Sequence, residues 1–88
     1  MRLEIYISDH CDNCQEALRQ AELARTVAGV EVCVINVDAT SDPVPQRIIA
    51  TPTYVLDGRI ISLGNPYRED LLKMLERPRQ NACEEAME

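Results

Sequence analysis

The chain contains no phenylalanine and no tryptophan, and its only aromatic side chains are Tyr6, Tyr54 and Tyr67. A core of large flat rings is therefore excluded, and the apolar interior must be aliphatic, built from Ile, Val, Leu and Ala. Basic residues are scarce as well: nine Lys and Arg stand against fifteen Asp and Glu, for a formal charge of −6. Such a surface has no basic stripe to neutralise phosphates, so nucleic acid is not an expected partner. The same acidity argues against docking on anionic membranes. No apolar run approaches the ~18–20 residues that a spanning helix needs. The first apolar stretch, Leu3 to Ile7, is short and carries Glu4, unlike a secretory leader. The expectation is a cytosolic protein, a compartment in which a cysteine pair is more often catalytic or metal-binding than structural.

A length of 88 residues allows one domain. At this size folding buries about 60–65% of the surface that the unfolded chain exposes, so the stability margin is modest. Residues 2–8 alternate, with Leu3, Ile5 and Ile7 on one side and Glu4, Tyr6 and Ser8 on the other, which predicts a strand. From about Asp12 to Ala28, the residues Cys14, Ala17, Leu18, Ala21, Ala24 and Ala28 form one apolar helical stripe. Asp12 suits the positive end of that helix, and Gly29 suits its stop. Residues 30–37 are β-branched and nearly continuously apolar, the pattern of a strand covered on both faces. Strand, helix, strand makes a βαβ unit with parallel strands.

Pro43 and Pro45 leave room for one helical turn at most in residues 38–47. Thr53 to Leu56 and Arg59 to Leu63 read as strands joined by Asp57-Gly58, a strong two-residue hairpin signal. A last helix is predicted from about Pro66, at its first position, to Arg77, with Leu71, Leu72, Met74 and Leu75 on its buried side. The domain is thus expected over residues 1–77, and residues 78–88 as a flexible acidic tail. The expected class is α/β, in the order β-α-β-(short turn)-β-β-α, with helices packed on a mixed four-stranded sheet.

The chemistry lies in Cys11-Asp12-Asn13-Cys14, where the first strand hands over to the first helix. The thiolate, not the thiol, attacks a disulfide. Free N–H groups and the dipole at a helix N-terminus favour that thiolate. A spacing of three puts Cys14 one turn along, close enough to close a ring with Cys11. Cys11 is expected as the exposed attacker and Cys14, on the apolar stripe, as the sheltered resolving thiol. A cationic His10 would favour the thiolate, and Asp12 would oppose it. A CxxC beside a βαβ pattern is a recognised redox signature.

A second element, Ala50-Thr51-Pro52-Thr53, precedes the third strand. With the strand–CxxC–helix start, the Asp57-Gly58 hairpin and the Gly-then-helix close, it makes residues 2–77 resemble the thioredoxin/glutaredoxin superfamily. The resemblance implies that Pro52 follows a cis bond, packs against the redox pair and discourages metal capture. It also implies that the Thr51 backbone receives a substrate strand; His10 is a further candidate for substrate binding, its alternative being a solvated loop residue. The chain departs from thioredoxins proper at His10, where they carry an aromatic residue, and at Asp12-Asn13, where they carry Gly-Pro. Ile5 and Tyr6 stand where thioredoxins hold a buried acid. Gly64-Asn65-Pro66 replaces the Gly-Gly and acid with which glutaredoxins hold glutathione, which weakens the case for glutathione binding. The resemblance is to a minimal, divergent member.

The expected activity is thiol–disulfide exchange with a protein partner, regenerated by an upstream thiol reductant, in a monomer without cofactor. Two alternatives stand beside it. A metal protein would use Cys11 and Cys14 with Cys33, His10 or Cys83, but a closed zinc site commonly takes two spaced pairs and the chain has one. A non-catalytic interaction module would fit the stretch Ile48-Ile49-Ala50-Thr51-Pro52-Thr53, which resembles a segment of the small circadian-clock proteins of this superfamily; such a module would not need an intact CxxC. Cys33 is expected as a small buried apolar residue. Cys83, in the tail, is expected to be exposed, whether as a free thiol, a mixed-disulfide handle or an intermolecular link.

Overall fold

The computed structural model describes residues 1–41, 43–45, 48 and 50–76. Its elements are β1 (Arg2–Ile7), α1 (Cys14–Ala24), β2 (Glu31–Asn36), β3 (Thr53–Leu56), β4 (Arg59–Leu63) and α2 (Arg68–Glu76). The four strands form one mixed sheet in the order β2-β1-β3-β4, with β1 parallel to β2 and antiparallel to β3. The sequence-based expectation of an α/β, thioredoxin-like architecture is met. The expected acidic tail at 78–88, and Cys83 within it, lie outside the described residues. Among the described residues no helix is long and apolar enough to cross a membrane.

The alternation in β1 sets the two faces. Leu3 and Ile5 are fully buried and share their face with Val32 and Val34 of β2 and Tyr54 and Leu56 of β3. Both helices pack on this face, contributing Ala17, Ala21, Ala24, Leu71 and Leu75 to the same cluster. The alanines matter because a side chain of one carbon lets α1 lie close on the sheet. The interior is not wholly aliphatic as expected, because the ring of Tyr54 is fully buried in the same cluster. The hairpin forms as read: Asp57 (φ 50°) and Gly58 (φ 86°) both take positive φ, as the mirror-image two-residue turn requires. The turn is tied back to the start of β1, because Arg2 N donates to Asp57 Oδ1 and Asp57 N donates to the Arg2 carbonyl, both at 2.8 Å.

The helix limits differ from the periodicity. α1 starts at Cys14 because residues 11–14 close a separate turn, Cys14 N donating to the Cys11 carbonyl at 3.2 Å. Asp12 therefore sits outside the first helical turn, and Glu16 is the acid there. The helix ends at Ala24, where the Thr26 hydroxyl takes the Leu23 carbonyl at 2.7 Å. Gly29 (φ 81°) belongs to the later turn into β2, not to the helix stop. Leu18 and Ala28, expected on the buried stripe, are exposed, and Gln20 is buried instead. α2 begins at Arg68, so Pro66 lies before the helix and not at its first position; Arg77 falls outside the described residues.

The expectation of a doubly covered second strand is also corrected. β2 is a sheet edge without a fully buried residue, and Cys33 is half-buried. In register Cys33 sits beside Glu4 and Ile35 beside Tyr6, on the face turned away from both helices. Among the described residues no helix connects β2 to β3, so nothing helical covers that face.

Burial separates two isoleucines clearly. Ile5→Ala opens a cavity under α1 and is expected to cost about 2–5 kcal/mol. Ile60→Ala, on the exposed side of β4, is expected to stay within about 0.5 kcal/mol of the parent. Urea midpoints at constant m-value check both.

Candidate active site

β1 ends at Ile7, and the chain then needs six residues to reach the first residue of α1. That connection is held from two sides. On one, Asp9 N donates to Asp38 Oδ2 and Asn36 Nδ2 donates to Asp9 Oδ1, both at 2.9 Å. Asp38 N in turn donates to Asn36 Oδ1, also at 2.9 Å. The residues after β2 thus form a polar cradle under the loop. On the other side, the Ser8 and Thr51 hydroxyls share a hydrogen bond of 2.7 Å. This contact brings the Thr-Pro segment and the cysteine loop to the same end of the sheet.

Cys11 and Cys14 are joined by a disulfide with their Cα atoms 5.3 Å apart. Cys11 is half-buried rather than open, and Cys14 is buried under the first turn of α1. The order of exposure is the one expected from the stripe. Asn13 is the N-cap by backbone position, without a side-chain cap bond, and the first N–H of α1, that of Cys14, is taken by the Cys11 carbonyl. The Thr51–Pro52 peptide bond is cis. Pro52 is buried, and its carbonyl accepts from Gly64 N at 2.8 Å, which anchors the start of β3 to the end of β4. His10 is exposed in the turn before Cys11, and among the described residues no hydrogen bond or ion pair holds its ring.

Three residues that the sequence did not single out join this end of the molecule. Tyr54 is fully buried in the core, and its hydroxyl donates to Asn65 Oδ1 at 2.7 Å. The Asn65 amide Nδ2 then donates to the Asn13 carbonyl at 2.8 Å. One residue further on, the Pro66 carbonyl accepts from buried Gln20 Nε2. These contacts span 52 and 46 positions, so no local pattern announces them. The available signal was indirect: a buried tyrosine needs a partner for its hydroxyl. Burial, with the charge of Glu16 adding to it, pushes the Tyr54 phenol well above its ordinary range.

Chemically the arrangement holds a dithiol/disulfide pair at the mouth of a helix, with a buried partner thiol and a cis-prolyl segment at the same sheet end. Among the described residues no three His, Cys, Asp or Glu side chains converge into a metal site.

The raised phenol has a consequence for stability. In the unfolded chain Tyr54 ionises near its ordinary value of about 10. The folded protein holds the proton to higher pH, so stability is full below pH ~10 and falls as pH rises above it. Tyr54→Phe is expected to flatten this alkaline fall while costing about 1 kcal/mol at neutral pH from the lost hydrogen bond. Thermal melts across pH 8–11 read both effects.

No curated protein sequence matches the chain. The family model described as the thioredoxin domain does match, over residues 1–76. That span takes in every strand and helix just described, together with the Cys11–Cys14 turn and the cis Thr51–Pro52 bond. The chain belongs to the thioredoxin domain family.

Proposed function

We propose that this protein is a thiol–disulfide oxidoreductase that reduces or exchanges disulfides in a protein partner through Cys11 and Cys14. The observation that carries the reading is the Cys11–Cys14 disulfide at the β1–α1 junction, with one sulfur-bearing residue half-buried and the other sheltered. A pair in which both were buried would have no substrate access. A pair in which both were open would gain no help in resolving a mixed disulfide.

In the reducing direction the Cys11 thiolate attacks one sulfur of a substrate disulfide. An S–S bond forms between Cys11 and the substrate, and the second substrate sulfur leaves as a thiolate and takes a proton. Cys14 then loses its proton and attacks Cys11 Sγ. The intramolecular disulfide forms, the mixed disulfide breaks, and the substrate departs as a dithiol. Two electrons pass from the protein to the substrate. An upstream thiol reductant supplies them again, and the reverse sequence makes the protein an oxidant. The N–H groups at the start of α1 favour the attacking thiolate. In this reading Thr51 presents its backbone to an extended substrate segment in the manner of an added strand, Pro52 shapes the floor of the site, and His10 stands at its rim.

The acidic surface, with a charge of −6, favours a protein substrate over a polyanion. We place the protein in the cytoplasm, where a thiol pool can regenerate the dithiol, acting as a monomer without a cofactor.

Cys14→Ser is expected to stop the cycle at the mixed disulfide, so that covalent adducts through Cys11 accumulate and are released by dithiothreitol. Cys11→Ser is expected to give neither adducts nor reduction of insulin above background. Insulin turbidity and non-reducing mass spectrometry are the readouts. Unimpaired cellular function of Cys11→Ser would instead support the interaction-module reading.

A further inference from the structure

Among the described residues, one side chain from outside the Cys11–Cys14 turn bonds its backbone. Asn13 lies between the two cysteines, and its carbonyl serves two donors: Ala17 N of α1 at 3.3 Å and the Asn65 amide at 2.8 Å. The shorter bond comes from the loop between β4 and α2, across 52 positions. The orientation of the Asn65 amide is dictated. A carbonyl can only accept, so Nδ2 faces Asn13 and Oδ1 is left for the Tyr54 hydroxyl, which donates to it at 2.7 Å. Tyr54 itself is immobilised in the core with no exposed surface. The result is a chain of two hydrogen bonds running from the hydrophobic core to the backbone of the redox turn. Nearby, Gln20 to the Pro66 carbonyl and Arg68 to Glu16 hold the same loop against α1.

We infer that Asn65, oriented by Tyr54, is a positioning residue for the redox pair that stabilises the disulfide form over the dithiol. The inference rests on the exchange activity proposed above. The two forms use the brace differently. In the disulfide, the bond between the sulfurs already orders the four-residue turn that Asn65 holds, so the brace is made there with little further loss of freedom. When the sulfurs part, that ring opens. The Asn65 bond must then order the turn by itself, and the lost backbone freedom offsets part of its gain. A constraint that matters more in one form shifts the equilibrium toward that form by its difference alone. Removing Asn65 is therefore expected to make the protein a weaker reductant.

The test is the equilibrium of the full chain with glutathione redox buffers, followed by alkylation and mass measurement. Asn65→Ala is expected to move the constant toward the Cys11/Cys14 dithiol by about threefold or more, roughly half a decade. Tyr54→Phe, which keeps the ring in the core, is expected to move it the same way by a smaller factor. Both substitutions exchange uncharged groups, so no new charge acts on the thiols. Because Tyr54 acts through Asn65, the double variant is expected to match Asn65→Ala alone rather than the product of the two effects. A wild-type couple of normal two-electron form that Asn65→Ala leaves unmoved overturns this inference alone. So does a Tyr54→Phe effect that persists in full when Asn65 is already alanine. A wild-type chain with no measurable couple overturns the redox reading, and this inference with it.

Discussion

Strand β1 is paired on both sides, to β2 and to β3, and everything at the cysteine end of the molecule depends on where that strand stops. A central strand cannot shift its register without moving Leu3 and Ile5 out of the core and putting Glu4 in their place. Its carboxyl end is therefore a fixed point. From that point the chain reaches Ser8, which holds Thr51, then Asp9, which is held by Asn36 and Asp38, and then the cysteine turn. The chemistry is thus placed by sheet register first and by hydrogen bonds second.

The small aliphatic core is adequate to this task because α1 carries alanine at its three deepest apolar positions, Ala17, Ala21 and Ala24. These let the helix sit close to β1, so its first turn is held firmly against the sheet end. The one large ring on that side, Tyr54, is used twice: its ring fills the space between sheet and helices, and its hydroxyl continues as a polar line out to Asn65 and Asn13. Packing and site geometry are joined in that residue. The opposite face of the sheet is built differently, with half-buried Cys33 at one edge and exposed Ile60 and Leu63 at the other. The asymmetry follows from both helices lying on one side.

Much of this was legible in the residues. The period-two pattern of residues 2–8 located β1, and the positive-φ tolerance of Asp57-Gly58 located the hairpin. The CxxC spacing located the disulfide, because three positions along one turn is within bonding reach. The misreadings share a physical cause. Periodicity overran both ends of α1, since the stripe continues through residues whose backbone is captured by other partners: the Cys11 carbonyl at one end and the Thr26 hydroxyl at the other. The apolar run at 30–37 suggested a strand buried on two sides, but its place at the sheet edge leaves it half-covered. A side chain's chemistry tells what it prefers to touch, not whether another element arrives to touch it.

The sequence by itself determined the order of the elements, the turn chemistry and the presence of a closely spaced cysteine pair at a strand–helix junction. These depend on neighbours within a few positions, where backbone geometry and side-chain period are almost fully specified. The tertiary structure decided which face of the sheet is covered, that Thr51 meets Ser8 across 43 positions, and that Asn65 grips the backbone between the cysteines across 52. Those contacts arise only when surfaces far apart in the chain are pressed together by burial of the core, and the hydrophobic effect that drives this carries no directional information about which polar groups will meet at its margin.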